Sequence, residues 1–290
     1  MDLQSMRFFV STADAGSFSA AAEKLSYAQS NLSTRIRLLE EELGEPLFYR
    51  GRKGVTLTAK GQVFYEYALQ LLRLSEEAVN AVQNLDEPRG RLRIGSLEAI
   101  VLEDLPELMS AYHGRFPDVK LMLHTDMNEK LQSLVLDRSM DGAFIAGPTS
   151  NPDLIEIPFS VKHLILVGSA KEKERPAESI LTEAPLITFP EGSIFRHRFE
   201  MLLSSYSSNY QNRLHVMNSL SANIVNICAG IGYGYLTKSG STFFIAQGLM
   251  REYKIYDPYS ELNIIFVYRR DRVMDAAFVR FLEMVDAFRK

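Results

Sequence analysis

The sequence predicts an α/β protein fronted by a smaller helical module with a basic hairpin, that is, a winged helix-turn-helix. Three observations carry that prediction. Residues 18–61 read as an Ala-rich helix, a second helix with a polar and basic face, and a glycine-punctuated cationic hairpin. Residues 64–85 then place apolar side chains at alternating steps of three and four. From Leu92 onward, short β-branched runs alternate with helical patterns.

Size and composition bound what the parts can be. At 290 residues the chain exceeds one typical domain. The expected division is a reading head at 1–58, a linker helix at 59–88 and an α/β domain at 89–290. The last splits into one subdomain of about 91–161 plus 267–290 and another of about 162–266. No run of ~18 apolar residues occurs, so no membrane span is expected. The start, MDLQSMRFFV, lacks the basic-then-apolar order of a secretory signal. Cys228 is the only cysteine, which excludes an intrachain disulfide and leads us to expect a reducing cytoplasm.

The net charge of −4 divides unevenly, into +1 over residues 1–60, −4 over 61–88 and −1 over 89–290. Cations are concentrated at the hairpin: Arg50, Arg52, Lys53 and Lys60 fall between Pro46 and Gly61 with no acid among them. A phosphate backbone demands such a surface, because neutralising phosphates releases condensed counterions. A protein that coats nucleic acid without preference is usually basic throughout.

The head justifies its elements in order. Leu3, Met6, Phe9, Val10 and Ala13 form the apolar stripe of a first helix, which Ala15-Gly16 breaks. Ser17 is placed to cap a helix over Phe18–Leu25, whose alanines permit close helix approach. After a turn at Ser26-Tyr27-Ala28, Leu32, Ile36, Leu39 and Leu43 bury one stripe of a third helix. Gln29, Ser30, Ser33, Thr34 and Arg37 lie off that stripe, with Arg35 on its flank. These side chains suit base edges and phosphates, and they cluster in the turns that would enter a groove. Any surface helix has a polar face; the basic hairpin immediately after is what selects the DNA-reading interpretation. The hairpin itself runs Leu47–Arg50, a Gly51-Arg52-Lys53-Gly54 turn, and Val55–Thr58.

Thr58 can cap the next helix. There Phe64, Tyr67, Leu71, Leu74, Ala78, Ala81 and Leu85 keep a period of 3.5, the seam of a coiled coil. A homodimer is therefore expected, with two heads matched to an inverted-repeat site; packing of the seam against the chain's own C-terminal domain is the alternative.

In the α/β region, strands are expected at Leu92–Gly95, Val119–His124, Ala143–Ala146, His163–Val167, Leu186–Phe189, Leu214–Met217 and Leu262–Tyr268. Helices are expected at Leu102–Tyr112, Asn128–Leu136, Phe195–Tyr206, Leu220–Ala229 and Met274–Phe288. Such repeated units predict mostly parallel sheets, with a pocket at the carboxyl ends of the strands. Ser96, Asn128, Gly192-Ser193 and Asn218-Ser219 sit at those ends or at helix starts. Free N–H groups there favour a small carboxylate or oxyanion as the guest.

Catalytic signatures are missing from the sequence. His113, His124, His163, His197 and His215 are scattered, no P-loop or G-x-S-x-G occurs, and Gly230–Gly234 lacks the strand-turn-helix context of a dinucleotide site. No metal or cofactor is expected, and Cys228 reads as a buried small hydrophobe.

These residues resemble the LysR-type transcriptional regulators. Phe18-Ser19-Ala20-Ala21-Ala22 with Leu25, Gln29-Ser30, Ser33, Ile36, Leu39–Gly44, Pro46–Arg50 and Leu57–Gly61 carry the similarity. The resemblance implies a long linker helix and a two-subdomain effector domain like that of periplasmic binding proteins. It also implies a dimer or tetramer on double-stranded DNA, contact with RNA polymerase, and a small-molecule co-inducer. Carried over by position, Gln29, Ser30, Ser33, Thr34, Arg35, Arg50, Arg52 and Lys53 would meet DNA. Ser96, Leu97, Asn128, Ser193, Asn218 and Ser219 would line the effector cleft. Two positions depart from the pattern: Ala28 replaces the hydroxyl residue usual before the Gln, and Thr237 replaces a Pro after bulky Tyr233 and Tyr235, which are expected to reshape the cleft. An enzyme with an appended DNA module, or a ligand-independent architectural DNA-binding protein, stand as the rival readings.

Overall fold

The computed structural model describes residues 1–51, 54–83 (side chains at 80, 81 and 83 excepted) and 87–289. The chain divides into two compact units, Met1–Gln83 and Asn84–Lys290. The expected wing-tip cations Arg52 and Lys53, the Ala81 side chain and Leu85 lie outside the described residues.

The first unit contains α1 (Leu3–Ala15), α2 (Phe18–Leu25), α3 (Gln29–Leu43), β1 (Phe48–Gly51), β2 (Gly54–Leu57) and α4 (Ala59–Gln83). Asp2 caps α1 by accepting the Ser5 N–H at 2.7 Å, and Ser17 accepts from Ala20 to start α2. Gly16, at φ 62°, ends α1 in the left-handed conformation. The carbonyl of Gly16 then accepts the Val55 N–H at 2.9 Å. A Cβ on Gly54 would collide with that carbonyl, so glycine is required where the hairpin crosses the α1–α2 turn. Phe9 is fully buried, with its ring centroid 5.1 Å from both Phe48 and Phe64. One aromatic thereby ties α1, the hairpin and α4 together, a burial worth about 1.5–3 kcal/mol.

Thr58 starts α4 by accepting the Gly61 N–H at 2.9 Å while donating to the Pro46 carbonyl. At about 1.5 Å per residue the helix extends for nearly 40 Å. It has two apolar faces. Ala68 is buried, and Tyr65, Leu69 and Leu72 pack with it on the core of the unit. Tyr67, Leu71 and Leu74 are 63%, 40% and 43% exposed, joined by Val63, Val79 and Val82. Phe64, expected on the outer ridge, instead turns half-buried toward Phe9. A ring at the foot of α4 gains more from the aromatic core beside it than from a solvent-facing seam.

The second unit runs β3 (Gly90–Ser96), α5 (Glu98–Glu103), α6 (Leu105–Arg115), β4 (Val119–Thr125), α7 (Asn128–Leu136), β5 (Gly142–Ala146) and β6 (Leu154–Ser169). It continues α8 (Ala177–Glu183), β7 (Leu186–Thr188), α9 (Ile194–Ser204), β8 (Leu214–Val216), α10 (Leu220–Cys228) and β9 (Tyr233–Thr237). Last come α11 (Lys238–Ala246), β10 (Met250–Tyr253), β11 (Glu261–Arg269) and α12 (Ala276–Ala287). The strands join in the order β4-β3-β5-β11-β6-β9-β7-β8, with β10 beside β6.

The outer strands are parallel as expected, β3 to β4 and β5, and β7 to β8 and β9. The centre is antiparallel, which departs from the mostly parallel expectation. The 16-residue β6 pairs with β11 through its first half and with β9 and β10 through its second. β11 then returns antiparallel against β5 and β6. Two long strands thus carry the chain between the two parallel sets, and a returning strand must run opposite to its neighbours.

A buried ionic group fastens β6 to the helices. Lys162 Nζ lies 2.9 Å from a Glu103 carboxylate oxygen and 2.7 Å from Asp104, with all three side chains at most 7% exposed. Ser160 donates to Asp104, and Thr237 and Ser239 donate to Glu103. The hydroxyls satisfy lone pairs that a buried pair otherwise leaves open.

Candidate functional site

Two surfaces carry functional chemistry, one in each unit. In the first, α3 presents Gln29, Ser30, Thr34, Arg35 and Arg37 exposed, with Ser33 half-buried at the edge of the core stripe. Ala28 leaves the start of α3 with no side-chain cap, so its first N–H groups stay open. The cations are held by carboxylates of the same unit. Arg35 donates to Asp2 at 3.0 Å, Arg37 to Glu41 at 2.8 Å and Arg50 to Glu40 at 2.7 Å. Arg50 also lies over the Phe18 ring, 5.1 Å from its centroid. The Ser5 amide, and to a smaller degree Arg35, hold the Asp2 carboxyl below its ordinary value. The exposed Arg35–Asp2 and Arg37–Glu41 pairs contribute little stability, so a phosphate can take over either guanidinium at small cost.

Glu40 does more than its sequence position suggests. From the far end of α3, its Oε1 accepts the Leu47 and Phe48 amides at 2.8 and 3.2 Å, and its Oε2 accepts from Arg50. One carboxylate therefore fixes the base of the hairpin to α3 and aims Arg50. The sequence reads Glu40-Glu41-Glu42 as a single acidic block that DNA would repel. Only the packing separates the half-buried member from the exposed two.

In the second unit, a cavity of about 240 Å³ opens where β3, β4, β7 and β9 end and α7, α9 and α10 begin. Of the six residues expected at an effector cleft, Leu97, Asn128, Ser193 and Asn218 line it. Ser96 is fully buried, donates to the Leu97 carbonyl at 3.0 Å, and does not line the cavity. Ser219 is not a lining residue either; its hydroxyl caps α10 by accepting the Ala222 N–H. Asn128 lines the wall but spends its amide on β5, accepting the Ala146 N–H at 2.7 Å and donating to the Ala146 carbonyl at 3.1 Å.

The cavity also contains residues that sequence reasoning passed over. Phe189, Pro190, Ile194, Phe195, Leu220 and Leu236 make an apolar wall, and Glu98 and Asp126 add polar groups beside Thr237, the one of these that the sequence singles out. A Glu just inside a helix start reads as a dipole partner, so nothing in the chain marks Glu98 as facing a cavity. Tyr233 and Tyr235, expected to reshape the cleft, turn away from it. Tyr235 stacks on Phe199 at 5.3 Å and donates to Asp257, and Tyr233 packs edge-on against Tyr253. Alternation along β9 puts both tyrosines on the face opposite Leu236. Cys228 is half-buried, and burial raises its thiol pKa, the reverse of a reactive thiolate. No group of side chains suited to a metal ion occurs among the described residues, and no helix among them is long and apolar enough to cross a membrane.

A reading helix with a basic hairpin, joined in one chain to an α/β unit with a ligand-sized cavity, defines a class of regulator, and the comparisons agree. Residues 3–62 match the bacterial regulatory helix-turn-helix protein, lysR family, and residues 85–289 match the LysR substrate binding domain. The HTH-type transcriptional regulator YofA of Bacillus subtilis (strain 168) is 33% identical over 290 residues, covering 100% of both chains. The regulator SoxR of Arthrobacter sp. (strain TE1826) is 30% identical over 285 residues, covering 98% of this chain and 96% of that one. Among solved structures, full-length CbnR complexed with its target DNA matches at TM-score 0.72 and 20% identity, over 99% of this chain and 100% of that one. ArgP from Mycobacterium tuberculosis matches at 0.67 and 18%, over 99% and 97%. The structural likenesses show a shared fold.

The chain belongs to the LysR family. It is a DNA-binding transcriptional regulator with an effector-binding domain, in a family of regulators rather than enzymes.

Proposed function

We propose that this regulator acts as a homodimer or a tetramer built from dimers, seated on an inverted repeat near a promoter and controlled by a small metabolite in the 240 Å³ cavity. The observation that carries the reading is the outer ridge of α4, where Tyr67, Leu71 and Leu74 stand exposed beside a separate inward face. The head unit alone leaves this second apolar stripe uncovered, and a coiled-coil partner would bury it. Pairing along the ridge supplies two copies of α3, and a two-fold protein reads a two-fold site. Gln29, Ser30, Ser33, Thr34 and Arg35 would face base edges and phosphates, with Arg50, Arg52 and Lys53 on the flanking backbone. Arg37, paired with Glu41, sits one turn further from the groove entrance. Ligand binding in the cavity would change DNA bending and contact with RNA polymerase.

Footprinting of the purified full chain on genomic fragments, combined with sedimentation velocity, tests the proposal. The expected result is a dimer or tetramer that protects a discrete inverted repeat. Broad protection without a repeat would favour an architectural protein instead, and a monomer that still binds the repeat would remove the ridge from the account.

A further inference from the structure

Small-ligand cavities combine an apolar wall with a few placed polar groups that fix orientation. Here the wall is Phe189, Ile194, Phe195, Leu220 and Leu236, and the charged lining groups are Glu98 and Asp126. No lysine or arginine lines the cavity among the described residues. The guanidinium of Arg196, in a groove that shares Asn128, Ser193 and Ile194 with the cavity, is held by Glu200 at 2.9 Å and Glu191 at 3.4 Å. That groove adds Glu129 at the same side. Any anion entering would meet two carboxylates and no free cation.

Helix N-termini would ordinarily attract an anion here, and the chain itself supplies one to two of them. Glu98 Oε2 accepts the Leu220 N–H at the start of α10 at 2.9 Å. Asp126 Oδ1 accepts the Met127 N–H at the start of α7 at 2.8 Å. The positive end of α10 is thereby answered by a hydrogen bond and that of α7 by an adjoining carboxylate charge, while α9 opens at Ser193 with no side-chain cap. Glu98 Oε1 keeps no protein partner among the described residues. Among the described residues, Asp126 Oδ2 has only the His124 ring, 3.4 Å away.

We propose that the effector is a small cation, an ammonium on an apolar body, with its charge between Glu98 and Asp126 and its body against Phe189, Phe195 and Leu236. This assignment rests on the reading of the cavity as the effector site, and it reverses the anionic guest that the helix starts alone suggest. The cavity volume of about 240 Å³ lies just below the usual range of ~300–1,000 Å³, which limits the guest to a compact amine.

The test uses the full chain and size-matched probes that differ in charge: benzylamine, benzyl alcohol and benzoate, with butylamine, butanol and butyrate as the aliphatic set. Calorimetry and thermal shift at millimolar concentration should show binding by an amine and none by its carboxylate. Glu98→Gln and Asp126→Asn, which keep the helix-capping acceptor, should each weaken amine binding about tenfold, the worth of one charge-assisted hydrogen bond. The alcohols should be insensitive to both changes. Equal or tighter binding of a carboxylate would overturn the charge assignment while leaving the cavity as a ligand site, as would amine binding unchanged in both variants. Silence from all six probes would fail the cavity reading itself.

Discussion

The reading head and the effector unit treat their polar residues in opposite ways. In the head, nearly all the side chains expected to meet DNA stand on the surface, and the carboxylates that hold Arg35 and Arg37 are exposed, Asp2 at the start of α1 and Glu41 one turn along α3. In the effector unit, three of the five polar residues expected to meet a ligand are committed to the fold. Ser96 bonds its own strand end, Ser219 caps α10, and Asn128 clamps β5. A surface that receives a rigid duplex needs projecting groups. A cavity needs walls, and walls consume polar side chains in holding backbone together. Polar residues at helix starts are therefore ambiguous evidence for a ligand, whereas a polar face on a helix beside a cationic hairpin is strong evidence for a nucleic acid.

Substitutions can break or sharpen this contrast. The largest expected effect lies in the effector unit's interior. Lys162→Met leaves Glu103 and Asp104 buried without their cation, and removal of one partner from a buried ionic group typically costs about 3–5 kcal/mol. Urea denaturation should show that loss in the second unit; an unchanged midpoint would mean that the network is not sequestered. Next comes the α4 ridge. Replacing Leu71 and Leu74 together with Glu should raise the dimer dissociation constant by roughly a hundredfold or more, since a buried Leu is worth about 1.5–3 kcal/mol. Sedimentation velocity reads this directly, and a persistent dimer would place the interface elsewhere.

Arg35→Ala tests the head. Removing one base or phosphate interaction from the reading helix should cost about 1–3 kcal/mol of operator affinity with the dimer intact, measured by gel shift at fixed salt. Glu40→Ala probes support rather than direct DNA binding. It removes the acceptor for two hairpin amides, so stability of the head should fall by about 1–3 kcal/mol, with weaker DNA binding as a consequence of a loosened wing. The smallest effect belongs to Ser96→Ala. Its hydroxyl makes one buried bond to a neighbouring carbonyl and does not line the candidate cavity, so about 1 kcal/mol of stability is at stake. A large loss of ligand response from that variant would mean that the cavity extends to Ser96 when occupied.

How far the fold was legible depended on the locality of its causes. The helices of the head followed from apolar spacing and the Ser17 cap, because both act within one turn; the Asp2 cap of α1 emerged only in the structure. The strands at 92, 119, 143 and 186 followed from short β-branched runs. β9, β10 and α11 were not anticipated, and β6 was expected to begin at His163 rather than Leu154. The Gly230–Gly234 run hid β9, since glycine-rich sequence reads as a turn. Its glycines are needed because side chains of the core crowd it: a Cβ at Gly234 would run into Ile227. At the candidate cavity, Leu97, Asn128, Ser193 and Asn218 were legible as strand ends and helix starts, while Glu98, Phe189 and Leu236 were not. Nothing local distinguishes a residue facing a cavity from one facing solvent.

By itself, the sequence determined the order of the modules, the polar face of α3 and its buried stripe as far as Leu39 (Leu43, expected with it, is exposed), the cationic hairpin and the outer seam of α4. Each depends on spacing along a single helix or turn, where chain periodicity sets which side chains share a face. Tertiary structure alone decided the antiparallel centre of the sheet, the inward turn of Phe64, the division of labour within Glu40–Glu42 and the acidic lining of the cavity. Those outcomes depend on contacts between residues far apart in the chain, such as Glu98 and Leu220, and such contacts exist only once the sheet has brought the two ends together.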